Sequence, residues 1–514
     1  MKKRFLRKSL AVVMAVSTML LACTACGSTD QGEGDTPVQE SSGEEASGEN
    51  ESAGDMPNLV VSYAYAEVPA DIDKIEAALS EMTKEKIGCT VTLEAFTYGN
   101  INDQLTLILS SPSEQLDVMF GRFYGTGISG YVSKGQLTGL NDLLDEYGQG
   151  IKEVIGQDYL DAAAIDGEVY GVTTCRDLGA QVAFLFRKDI IDELGIDLSG
   201  VRAYEDLTPV FEQIHEAHPE LYVTGGAAVQ PSFFIKQFKS VDFLADKLGV
   251  LMDYKEPVVS NLFESQDFRD LVELTTKWNQ AGYIYPDITT DSSNSVQMLL
   301  SNGLAASYMQ SWKPGAIVEN QNTVQNYELA AAVIDEPAAF TMSVQSWMWT
   351  IPTNSKYPEK AMEFMNLLYT DEEVVNLLSY GIEGEHYVVT EDGFAANGPQ
   401  SAGYADKAAW KAGNAYLAHV WEGDEADLYE KLKAFNDSAD TTCAMGFVMD
   451  NSSVSTEYTA LQSVLAQYET LLEWGFAGDV DATIQEFNDA LYEAGLQAYM
   501  DEKQRQLDEF LGGQ

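Results

Sequence analysis

The chain has 514 residues, 81 acidic against 30 basic side chains, and a formal net charge of −51. That balance argues against nucleic acid as a partner, because a phosphate backbone is bound by Lys and Arg, and against direct binding to an anionic membrane surface. Hydrophobic residues make up 45%, enough for large cores, and at roughly 100–200 residues per domain two or three domains are expected. The histidines are His215, His218, His386 and His419, too few for a His-rich metal site, so no metal or cofactor is expected.

In chain order, Lys2, Lys3, Arg4, Arg7 and Lys8 precede a short apolar run from Ser9 to Ala22. The run is too short to span a bilayer and has the form of a secretory signal. No later stretch reaches the ~18 consecutive apolar residues of a spanning helix. Leu20-Leu21-Ala22-Cys23 resembles a bacterial lipobox, so residues 1–22 read as a signal peptide and Cys23 as the lipidated residue, with Cys26 as the alternative. Residues 27–56 hold nine acidic and no basic residues. They cannot bury enough surface to offset their ordering entropy, so residues 23–56 read as a disordered tether. Cys89, Cys175 and Cys443 are scattered and read as free thiols.

The folded body begins near residue 57. Leu59–Tyr63 reads as a buried strand, Asp71–Ile87 as a helix, Cys89–Phe96 as an alternating strand, Asn102–Leu109 as a helix and Asp117–Phe120 as a strand. Strands alternating with helices predict mostly parallel α/β layers, in which ligands bind at the carboxyl ends of strands. Further strands are predicted at 167–173, 181–189, 303–309 and 347–352. Helices are predicted at 189–194, 204–218, 263–281 and 359–368. At the C-terminus one helix carries Tyr458, Leu461, Leu465, Tyr468 and Leu472 on one face, and a second runs from about 481 to 499.

Four stretches together resemble the extracellular solute-binding proteins of bacterial ABC importers, of the sugar-binding type. They are the lipobox with its acidic tether, GEVYGVT (167–173) followed by FLFRKDIIDELG (184–195), GLAASYMQSW (303–312), and IPTNSKYPEKAMEFMNLLY (351–369). Thr173 stands where that family usually has Pro. Residues 366–388 and the C-terminal helices are similar to the LipO-like lipoprotein subgroup, which carries a C-terminal domain of unknown function. The resemblance implies the type II periplasmic-binding-protein fold, two α/β lobes joined by hinge segments around a cleft. It implies a first lobe over 57–175, a second over 176–330, a return over 331–375, and a second-lobe and helical C-terminus over 376–514. It also implies a monomer, anchored by lipid on the outer face of the cell membrane, that delivers a sugar to an ABC permease.

A sugar offers a C–H face to aromatic rings and a hydroxyl edge to polar groups. Strand ends supply the candidates Tyr65, Tyr124, Arg176, Asp177 and Trp347, and the resemblance adds Trp312. No catalytic residue stands out: there is no GxSxG elbow, no HExxH pattern and no P-loop. GTGISG (125–130) matches a dinucleotide fingerprint but reads as a Gly-rich turn, and His215-Glu216-Ala217-His218 reads as a solvated helix end. An extracytoplasmic carbohydrate-active enzyme and a non-transport surface protein on the same fold are the alternatives.

Overall fold

The computed structural model describes residues 56–512 apart from residue 112 and residues 124–126, 226–240, 290–294, 322 and 325. The signal peptide, Cys23, Cys26, nearly all of the acidic tether, Tyr124, and Gly125 and Thr126 of the Gly-rich turn lie outside the described residues. In chain order the strands of the two main sheets are β1 (Asn58–Tyr65), β2 (Thr90–Thr97), β3 (Val118–Arg122), β4 (Val172–Thr173), β5 (Ala180–Arg187), β6 (Tyr222–Thr224), β7 (Ala305–Ser311), β8 (Leu329–Ala339), β9 (Trp347–Thr350) and β10 (Asp440–Thr441).

The first sheet has the order β2-β1-β3-β9-β4. β1 runs parallel to β2 and β3, and β9 is antiparallel to β3 and β4. β1 is buried almost throughout because helices cover both faces of a central parallel strand. The helix Ile72–Ile87 packs on the sheet chiefly over β2, with Ile75, Leu79 and Thr83 buried on one face at a spacing of four. Gly88 ends that helix at φ 70°, a left-handed conformation that glycine takes without steric cost. Asp117, fully buried before β3, accepts from Val60 N–H at 2.8 Å, Ser355 Oγ at 2.9 Å and Lys356 N–H at 2.8 Å. Those bonds offset its desolvation and fix the register of β3 against β1.

The second sheet has the order β10-β8-β5-β7-β6. β5 shows the period-2 alternation of a strand: Val182, Phe184 and Phe186 face the large core, while Ala183 and Leu185 face a smaller one around Tyr308 and Leu329. The C-terminal helices complete the large core with Leu461, Leu465, Phe487, Leu491, Tyr499 and Leu507.

Three features depart from the sequence reading. Residues 329–339 remain in the second sheet as β8 rather than returning to the first lobe. Residues from 372 to about 418, assigned above to the second lobe beyond 375, pack on the first: Val374, Val375, Leu378, Tyr404 and Ala412 belong to its core. The second C-terminal helix is two helices, Val480–Glu493 and Leu496–Gly512, because Gly495 takes φ 103° and breaks the run. No helix among the described residues is long and apolar enough to cross a membrane.

Candidate functional site

The chain crosses between the sheets at 174–179, 340–346 and again between 421 and 440. Arg176, 8% exposed, ties the first two crossings: its guanidinium donates to Ser343 C=O at 2.5 Å and to Ser346 Oγ at 2.7 Å. Asn436, in the helix Leu428–Ser438, ties in the third. Its Oδ1 accepts from Leu178 N–H at 2.8 Å and Gly179 N–H at 3.2 Å, and its Nδ2 donates to Arg176 C=O at 2.6 Å. Gly179 permits this approach, since a Cβ there would lie 3.0 Å from the Phe435 ring. Arg176, expected as a ligand contact, is therefore a buried hinge residue.

The carboxyl ends of β1, β2 and β3, with the start of β9, form one edge of the first sheet. Tyr65 ends β1 fully buried, its hydroxyl 3.4 Å from that of Tyr404, so it is a core residue and not the ligand contact expected above. Trp347 is partly exposed at the start of β9. Its indole stacks on Phe120 at 5.1 Å and 15°, and meets Tyr98 edge-on at 5.5 Å and Trp410 at 5.6 Å. Tyr98 and Trp410 stack at 6.3 Å, and the Arg122 guanidinium lies 5.9 Å from the Trp347 ring centre. This is a partly exposed aromatic platform at a strand-end edge, of the kind that accepts an apolar sugar face.

Lys411 anchors the platform from below. Its side chain is fully buried; its Nζ pairs with Asp406, donates to Ala64 C=O at 2.6 Å, and lies 4.4 Å from the Tyr65 ring centre and 4.6 Å from that of Tyr63. Its carbonyl accepts from Trp349 Nε1 at 3.0 Å. Burial pushes the Lys411 ammonium down and the Asp406 carboxyl up, each toward its neutral form, while their mutual attraction opposes both shifts. Burial likewise pushes the phenols of Tyr63 and Tyr98 up.

On the second lobe, Trp312 directly follows β7, half-buried against the small core, with its backbone N–H donating to Gln181 C=O at 2.7 Å. The adjacent Lys313 lies 3.4 Å from Asp177 and 3.1 Å from Glu319. Burial alone would depress its ammonium, but these two carboxylates outweigh burial and raise it. Asp177, expected at the ligand, thus holds Lys313 while its neighbour Arg176 holds the residue before Trp347. One dipeptide of the first crossing reaches the strand ends carrying both tryptophans.

Asp424, on the third crossing, has its carboxyl pushed up to about 6 by burial and by Glu319, against the opposing pull of Lys313. Between the ordinary Asp range near ~4 and 6, the folded chain holds a proton there that the unfolded chain releases, so stability falls as pH rises through that window. Asp424→Asn is expected to raise the melting temperature at pH 7–8, with the gain vanishing near pH 4. A gain independent of pH in thermal melts would contradict this.

The ligand atoms of Asp71, Glu385 and His386 lie within 4.8 Å of one another. However, the Lys74 ammonium bonds both carboxylates, and His386 Nδ1 accepts Ile382 N–H at 2.9 Å. These groups form an ion-pair network that needs no metal.

Tyr98 follows a strand visible in the sequence, so the strand-end rule could have found it. No local motif singles out Trp410, Lys411 or Asp406.

Two α/β lobes around a cleft, joined by crossing segments and carrying aromatic residues at strand ends, define a type II periplasmic-binding-protein fold. The chain belongs to the bacterial extracellular solute-binding protein family, whose model matches residues 66–375. Residues 443–512 match a domain of unknown function. Among curated relatives, a carbohydrate ABC transporter substrate-binding protein of Streptococcus pneumoniae is 25% identical over 89% of this chain and 92% of its own length. A polygalacturonan/rhamnogalacturonan-binding protein of Bacillus subtilis is 24% identical over 44% of this chain and 47% of its own. The crystal structure of the N-glycan transport solute-binding protein NgtS from S. pneumoniae superposes with a TM-score of 0.78 at 24% identity, covering 89% of this chain and 99% of that one. Its complex with Man1GlcNAc gives 0.72 over 89% and 100%.

Proposed function

We propose that this chain is a lipid-anchored receptor that captures an oligosaccharide between its lobes and delivers it to an ABC permease, acting as a monomer without catalysis. The observation that carries the reading is the partly exposed platform of Trp347, Tyr98 and Trp410 at the strand-end edge of the first sheet. On this reading Trp312, half-buried at the end of β7, supplies a second ring from the other lobe. A relative described as a carbohydrate ABC transporter substrate-binding protein, matching over most of the chain, supports the ligand class. Calorimetry with purified oligosaccharides is expected to give a saturable complex whose ligand is recovered unchanged, whereas an enzyme would return product. Closure is expected to reduce the radius of gyration at saturation in small-angle scattering. Recovery of cleaved sugar, or no binding to any saccharide, would overturn the reading.

The anchor rests on the Leu20–Cys23 stretch. Acyl chains contribute ~0.8 kcal/mol per buried CH₂, so a doubly or triply acylated cysteine holds the chain durably on the membrane. Replacing both Cys23 and Cys26 is expected to release the protein into the medium. Membrane association that persists in the double variant would refute lipid anchoring.

A further inference from the structure

The sign of charge around the cleft bears on which saccharides enter. Lys313, at the end of β7, faces Asp177 at 3.4 Å and Glu319 at 3.1 Å. A third carboxylate, Asp424, stands beside the turn that follows Lys313, its Oδ1 3.4 Å from where a Cβ on Gly315 would lie, and both Glu319 and Lys313 shift its titration. One ammonium is thus set among three carboxylates beside the first and third crossings. Lys411 is matched by Asp406 and sealed beneath the rings of Tyr63 and Tyr65. The Arg176 guanidinium is buried among hinge oxygens. At the platform itself, Arg122 lies over the Trp347 indole, within a chain of net charge −51.

Among the described residues, Lys313, Lys411, Arg176 and Arg122 are each already engaged within the protein, so a uronate drawn to them would lose hydration for little gain and would meet a field of its own sign. A neutral sugar meets no such penalty. Carboxylates are strong acceptors for its hydroxyl protons, and the indole and phenol faces take its C–H surface.

We propose that the cleft selects neutral oligosaccharides and rejects uronate-bearing chains of the same length. This rests on the carbohydrate reading above and specifies its ligand class.

The test is calorimetry at neutral pH and physiological ionic strength. The probes are neutral manno- and N-acetylglucosamine-containing oligosaccharides and oligogalacturonides of matched length. Neutral chains are expected to bind about a hundredfold more tightly, the scale of a like-charge penalty of a few kcal/mol. In the E319Q/D424N double variant the gap between the two classes is expected to narrow about tenfold. Equal or tighter binding of oligogalacturonides, abolished by R122Q, would overturn the selectivity and make Arg122 a carboxylate anchor, leaving the carbohydrate reading intact. Binding of neither class would overturn both, with the failure in the carbohydrate reading. A gap unchanged in the double variant would overturn the electrostatic origin of the preference.

Discussion

Lys411→Met is expected to destabilise the protein by about 3–5 kcal/mol, the cost of leaving one member of a buried ion pair without its partner. Asp406 would be left buried near Tyr63, Tyr65 and Tyr98 without its ammonium, and Ala64 C=O would lose its donor. The burial that pushes the Asp406 carboxyl up means that part of the loss is met by protonation, so the variant should be less impaired at low pH. The double variant K411M/D406N removes both charges and is expected to regain much of the stability, since replacing a buried pair by neutral groups is often close to neutral. Urea unfolding of the three proteins measures this. A K411M midpoint equal to that of the parent would show that the pair contributes nothing to the fold.

The same residues show what the sequence could and could not reveal. The alternation of apolar strand and amphipathic helix from Leu59 to Phe120 set out the first α/β layers, because hydrophobic period reports local geometry. The motif order from Gly167 to Tyr369 identified the family. The strand-end rule pointed to the sheet edge where Trp347 joins the aromatic platform. It failed for Tyr65 because β1 is buried on both faces, so alternation along the strand carries no information about which side chain turns toward the cleft. It failed for Arg176 because a guanidinium at a crossing is as readily held by hinge carbonyls as by a ligand. Trp410 and Lys411 come from a short 3₁₀ turn, Ala409–Lys411. Their meeting with β1, β2 and β9 is wholly tertiary and leaves no local pattern to read. The assignment of residues 376 to about 418 failed for the same reason, since helical periodicity shows that Glu372–Tyr380 buries a face but not against which sheet.

Trp347→Ala and Trp349→Ala should separate binding from folding within one strand. The two side chains share strand parity, two residues apart, yet differ in environment. Trp349 is fully buried, stacked on Tyr63 at 5.8 Å, with its Nε1 on Lys411 C=O. Its truncation would open a large cavity and strand a buried carbonyl, an effect of about 3–5 kcal/mol on stability. Affinity in the fraction that remains folded should change little. Trp347 is partly exposed, and its ring is held against Phe120 by stacking and against Tyr98 and Trp410 by edge contacts. It offers a sugar a flat surface whose orientation is already fixed, so little entropy is lost when the ligand arrives. Removing an aromatic anchor at a binding hot spot costs about 2–4 kcal/mol, so Trp347→Ala is expected to weaken oligosaccharide binding by roughly 30-fold or more. Its ligand-free melting temperature should fall less than that of Trp349→Ala. Calorimetry of both variants, each beside its melting curve, measures the contrast. If Trp347→Ala retained parental affinity while losing as much stability as Trp349→Ala, the platform would be a core element and the ligand would have to sit elsewhere in the cleft.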